Sequence, residues 1–110
     1  MANIGKSKIR VPRKVKAGDV VEIKALVRHP METGLRKNKK TGKKIPAHYI
    51  NMVTATFNGA TVMEAEWGAA VSADPYISFF LKVDKAGTLK IVWKDNKGGE
   101  FVGTKMINVQ

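Results

Sequence analysis

Tyr-Ile-Asn-Met-Val-Thr-Ala-Thr-Phe-Asn-Gly-Ala-Thr-Val-Met-Glu-Ala-Glu-Trp, residues 49–67, decides the fold class. Residues 49–57 are rich in β-branched and aromatic side chains, which suit a pleated surface better than a helix. Asn58-Gly59 then supplies two residues that tolerate positive φ, as a two-residue hairpin turn demands. Residues 62–67 return as a second strand. The same grammar extends both ways along the chain. Towards the C-terminus, Ile77, Phe79, Leu81 and Val83 alternate with Ser78, Phe80 and Lys82; Lys85-Ala-Gly87 turns the chain; Leu89, Ile91 and Trp93 give another alternating face. Residues 95–99 read as a further hairpin turn and residues 101–109 as the closing strand. Towards the N-terminus, Val21, Ile23, Ala25 and Val27 alternate with Glu22, Lys24 and Arg28. A short strand over residues 6–11 precedes them, ended by Pro12, which has no N–H for a ladder and suits an edge.

No stretch carries helical periodicity, so the chain is predicted to be all-β, an immunoglobulin-like β-sandwich of about seven strands. Its 110 residues fit a single domain, 1–110. There is no cysteine, hence no disulfide, no thiolate chemistry, no iron–sulfur cluster and no Cys-based zinc site. Apolar packing must hold the two sheets together, with Trp67, Trp93, Phe79 and Ile91 as the best core candidates. The N-terminal residues contain no apolar run of signal-peptide length. Read alone, that predicts either a cytoplasmic protein or one exported by a route the sequence does not show.

The net charge of +11 is unevenly placed. Residues 1–55 hold 14 basic and 3 acidic side chains; residues 56–110 hold 6 of each. Arg36, Lys37, Lys39, Lys40, Lys43 and Lys44 crowd into residues 36–44, predicted to be a solvated, mobile loop or a wide hairpin tip. The imbalance favours an anionic partner. Nucleic acid is one class, but single-strand binders interleave aromatic platforms with their cations, and all eight aromatics lie at Tyr49 or later. That separation weighs against a nucleic-acid reader.

Chemistry has little material. Glu64 and Glu66 share a face of one strand, while Ser72 and Asp74 sit in a small-residue loop without a base. His29 and His48, with Met31, Met52 and Met63 as soft donors, could in principle bind Cu(I), yet nothing in the spacing fixes a site. His29-Pro30-Met31 resembles the His-Pro-Met segment of superoxide reductases, whose iron takes four histidines and a cysteine; two histidines and no cysteine cannot build that centre. The chain therefore reads as non-enzymatic, with no metal and no cofactor, and as a binding module whose sheet edges and loops meet a partner. A basic β-sandwich that binds nucleic acid or metal is the alternative.

Longer segments carry a family resemblance. Val-Lys-Ala-Gly-Asp-Val-Val-Glu-Ile-Lys (15–24), His-Pro-Met-Glu-Thr-Gly-Leu-Arg (29–36) and Ala-Val-Ser-Ala-Asp-Pro-Tyr (70–76) are similar to SoxZ, as are Ile45-Pro46, Ile50-Asn51 and Phe57-Asn58-Gly59. The resemblance implies the non-carrier half of a heterodimer with a SoxY-type subunit, whose cysteine carries thiosulfate-derived sulfur. It implies transient contact with SoxAX, SoxB and SoxCD, and a periplasmic location reached by co-export with a signal-bearing partner. It implies no catalytic residue. The candidate partner-docking residues are Arg28, His29, Pro30, Met31, Glu32, Thr33, Gly34 and Arg36, with Lys37, Lys39, Lys40, Lys43 and Lys44 as an anion- or partner-steering loop.

Overall fold

The computed structural model describes residues 4–68 and 70–110. Seven strands appear in chain order: β1 (Ser7–Arg10), β2 (Asp19–Val27), β3 (Ile50–Phe57), β4 (Ala60–Glu66), β5 (Tyr76–Val83), β6 (Gly87–Asp95) and β7 (Glu100–Ile107). They form an antiparallel β-sandwich of immunoglobulin-like type, with β1-β2-β5 in one sheet and β4-β3-β6-β7 in the other. The turn at Asn58 and Gly59 takes positive φ at both residues, 53° and 85°, the conformation that a right-twisted two-residue hairpin requires.

The alternation of β2 and β6 builds the core. Val21, Ile23, Ala25 and Val27 point inward from one sheet, and Leu89, Ile91 and Trp93 from the other, all buried. Val53, Ala55, Leu81, Val83 and Ile107 close the layer. Of the predicted core residues, Trp93 and Ile91 are sealed, whereas Trp67 and Phe79 are partly buried and pack against the cluster from its margin. The indole N–H of Trp93 has no hydrogen-bond partner among the described residues, a cost the core carries for the ring's apolar area.

One irregularity places the site. The register of β3 against β6 shifts between Ile50 and Met52. A bulge of this kind adds a residue to one strand and resets its inward-outward alternation. Ile50 and Val53 both end up buried, although three positions apart. Residues ahead of Ile50 then follow the new alternation.

Core and surface positions should separate cleanly in denaturant titrations. Ile23→Ala should cost roughly 3 kcal/mol through lost burial and a residual cavity. Phe80→Ser on the outer face of β5 should cost about 1 kcal/mol or less.

Candidate functional site

The inward stripes of β2 and β6 each end in a polar residue. Two positions beyond Val27 the same alternation reaches His29, and two beyond Trp93 it reaches Asp95; they are 2% and 6% exposed. The stripes face each other across the sandwich, so a histidine and a carboxylate meet at one end of the core. His29 Nε2 lies 3.1 Å from Asp95 Oδ2. His48, two residues before Ile50 and turned inward by the bulge, donates to the same oxygen at 2.7 Å. The two imidazoles stand edge to face, with ring centroids 4.4 Å apart.

Among the described residues, the β6–β7 turn supplies two further donors to the carboxylate. Asp95 Oδ1 accepts the N–H groups of Lys97 at 3.1 Å and Gly99 at 2.6 Å. A Cβ at residue 99 would sit 2.8 Å from either carboxylate oxygen, so glycine is what lets the backbone approach. Burial alone would raise the Asp95 pKa; hydrogen bonds from His29, His48, Gly99 and Lys97 outweigh it and hold the group at about 2. His29 moves below its ordinary 6.5, first because burial disfavours the imidazolium, with His48 acting in the same direction against the pull of Asp95.

The corner that follows β2 is folded around this clasp. Met31 N–H donates to His29 Nδ1 at 3.2 Å, while Met31 adopts φ 51° and its sulfur accepts the Ile50 N–H at 3.3 Å. Left-handed backbone at a bulky residue is strained and persists only where neighbours fix it. Asp74, in the β4–β5 loop, fixes the other side. Its carboxylate accepts the His29 N–H at 3.1 Å, and its own N–H donates to the His29 carbonyl at 2.8 Å. Its second oxygen lies 3.4 Å from Arg28 Nη1. Asp74 is thus a clamp on the backbone of His29.

The structure places the predicted docking residues in two groups. His29 and Met31 are buried and hold the corner from inside, so their side chains offer no surface to a partner in this conformation. Arg28, Thr33 and Arg36 are exposed, and Pro30, Glu32 and Gly34 are half-buried. Glu32 accepts from Arg36 Nε at 2.9 Å, and this bond first of all lowers the carboxyl pKa. Its backbone pairs with His48, and further out Lys37 pairs with Lys44. Residues 32–48 therefore turn back on themselves as an irregular ribbon held at these two isolated bridges. Asn38 makes the tip: its N–H donates to the Lys43 carbonyl at 2.8 Å, its carbonyl accepts from Gly42 and its side chain from Lys40. Lys37, Lys39, Lys40, Lys43 and Lys44 all face solvent.

Among the described residues, His29, His48 and Asp95 form a group whose possible ligand atoms lie within 4.8 Å of one another. The hydrogen bonds show what these atoms already do. With Nδ1 of His29 accepting from Met31, Nε2 carries the hydrogen and gives it to Asp95. A cation at this point would need the Nε2 lone pair, hence the opposite tautomer and the loss of the Met31 bond.

Comparison with known proteins fixes the family. The description "Sulphur oxidation protein SoxZ" matches residues 9–106. The chain belongs to the SoxZ family. No curated protein sequence matches it. Among solved structures, the superoxide reductase (neelaredoxin) of Ignicoccus hospitalis is similar at TM-score 0.73 and 25% identity, over 94% of this chain and 80% of that one. The superoxide reductase of Nanoarchaeum equitans gives 0.66 and 16%, over 94% and 93%. The sulfur carrier protein SoxY of Chlorobium limicola f thiosulfatophilum gives 0.62 and 15%, over 94% and 74%. This chain and that carrier thus share a fold. The iron set implied by the superoxide reductase likeness, four histidines and a cysteine, does not fit this SoxZ chain, which has two histidines and no cysteine.

Sequence reasoning weighed both histidines but missed Asp95, read only as the start of a turn. Its signal was available in the period-two stripe of Leu89, Ile91 and Trp93, whose next member it is.

The clasp makes stability acid-sensitive. The unfolded chain takes up protons on Asp95 near its ordinary 3.8 while the folded chain resists until about 2, so stability present above pH 4 should be lost as pH falls to 2. The loss from this group is on the order of 2 kcal/mol. The lowered His29 pKa adds a loss that begins as pH drops below 6.5, because only the unfolded chain then binds the proton. Urea midpoints from pH 7 to 2 should show both phases in the unaltered chain, and Asp95→Asn should lack the acid phase. An unchanged acid phase in Asp95→Asn would show that the carboxylate is not its source.

Proposed function

We propose that this SoxZ-family chain is the non-catalytic half of a sulfur-carrier pair, in which a SoxY-type subunit holds the sulfur on its cysteine and this chain supports it. The observation that carries the reading is the family match over residues 9–106 in a chain with no cysteine. A thiosulfate-derived sulfur atom carried covalently needs a thiolate, so the acceptor must lie on another polypeptide. Within the titratable cluster His29 and Asp95 are buried, and the atoms that they and His48 Nε2 turn to one another are hydrogen-bonded, which suits a structural clasp better than a reaction centre. The fold likeness to a SoxY carrier supports a complex of two related sandwiches. The pair works in the periplasm, the chain leaving the cytoplasm on a partner that bears the export signal. There it makes transient contact with the enzymes that load and strip the carrier, SoxAX, SoxB and SoxCD.

In this reading the lysine ribbon steers. Its cations project from the sandwich on a turn with few apolar anchors, where charge acts on encounter more than on the bound state. Sedimentation of the chain mixed with a SoxY-type subunit should show a stable one-to-one complex, and two separate monomers would sink the reading. Replacing Lys37, Lys39, Lys40, Lys43 and Lys44 by Gln should slow association with an acidic partner enzyme roughly tenfold at low salt and flatten its salt dependence. Stopped-flow on-rates equal to those of the unaltered chain would assign the ribbon to solubility alone.

A further inference from the structure

The outer face of the three-stranded sheet is built unlike the rest of the surface. Antiparallel pairing of β2 with β5 sets the basic first half of the chain against the aromatic second half. The outward residues of β5 are Tyr76, Ser78, Phe80 and Lys82; those of β2 are Val20, Glu22, Lys24 and Leu26. Phe80 is 70% exposed, Val20 64% and Tyr76 57%. Single exposed apolar residues are ordinary, but these lie on one face of two paired strands, and Leu26 stands directly across from Tyr76.

Cations frame the apolar residues. Lys8 of β1 pairs with Leu26, Arg10 with Lys24, and Lys82 with Val20 across β2. A cleft of about 270 Å³ lies where Lys8, Arg10 and Lys24 meet Leu26 and Tyr76. Against these four positive charges the same three outer stripes offer one negative charge, Glu22, which is 3.9 Å from Lys24. The outer face of the other sheet is different in kind: Glu64, Glu66 and Glu100 stand near Lys90 and Lys94, so it carries charges of both signs.

The geometry points to the outer face of β1-β2-β5 as the docking surface for the carrier subunit, which meets it with an apolar patch ringed by aspartate and glutamate. This rests on the proposed pairing with a SoxY-type subunit. The charge decides among occupants. A second copy stacked on the same face would set lysine against lysine around the apolar centre, and the opposite face would bring Lys90 and Lys94 to the frame along with its three glutamates, a mixed rather than an acidic complement. A protein partner with an acidic rim neutralises the frame and covers Phe80 and Tyr76, aromatics of the type that anchor interfaces. Single-stranded nucleic acid would also meet cations beside aromatic rings here, which the separation of the two along the sequence had hidden. Glu22 lies opposite Phe80, however, and would set a carboxylate beside any phosphate drawn to that ring.

The test is the dissociation constant of the full chain with a SoxY-type carrier subunit, measured for four forms. Phe80→Ser with Tyr76→Ser should weaken pairing roughly thirtyfold or more. Lys24→Glu should weaken it and reduce its salt dependence. Val102→Ser with Met106→Ser, exposed positions on the opposite face, should leave it unchanged. Thermal melts should show every form folded, since each altered side chain is exposed or outward. Pairing that survives the face variants, or is lost on the opposite-face pair, overturns the surface while leaving the partnership standing. Failure of the unaltered chain to pair overturns the partnership and the surface with it. A further titration uses a dT20 oligonucleotide: tight binding that disappears in the face variants, with carrier pairing intact, overturns the proposal in favour of nucleic acid.

Discussion

A carboxylate removed from water must collect its hydrogen bonds from the chain, and Asp95 collects four: two from imidazoles and two from backbone N–H groups of its own turn. Much of one end of the molecule is arranged by that requirement. Because Asp95 closes the inward stripe of β6 and His29 closes that of β2, the bond between them ties one sheet to the other where the apolar core stops. Because His48 shares the same oxygen, the long excursion between β2 and β3 is tied back to the sandwich at its base. Removing the carboxylate would strand several buried donors together, which costs more than one surface hydrogen bond.

The clasp also separates the chain's polar groups by task. Both ring nitrogens of His29 and the Nε2 of His48 are engaged in holding the corner together. The surfaces proposed to meet partners lie elsewhere, on the ribbon and on the outer face of β1-β2-β5, where cations stand exposed. The proposed support of a sulfur carrier would use such a division: a core insensitive to its cargo, and a surface able to hold the chain that bears the thiol. The sandwich shared with superoxide reductases shows how little of that task the fold dictates, since the likeness extends over nearly the whole chain while the iron ligands are absent.

The strands were legible because alternation and turn chemistry agreed: the stripes of Val21 to Val27 and Leu89 to Trp93 and the Asn58-Gly59 turn all appear where the pattern put them. The clasp was harder to see for a physical reason. Its members lie 47 and 66 residues from Asp95, and only the sheet pairing brings them together. His29 and Asp95 were one step along alternations already recognised, but a polar residue at the end of an apolar stripe looks like the end of the stripe. His48 faces inward through the bulge before Met52, which no local composition announces. The same limitation hid the basic-aromatic face, where β2 and β5 are adjacent in space and distant in sequence.

The placement of Asp95 also bears on the order in which the chain folds. The Lys97 and Gly99 bonds close within a tight turn and can form as soon as β6 and β7 pair. The two histidine bonds close very large loops and gain nothing until both sheets exist. They belong on the native side of the folding barrier, where interactions slow unfolding far more than they speed folding. The clasp is therefore a latch on lifetime: it sets how long the finished domain stays shut, and leaves the rate at which the sandwich assembles to the hairpins.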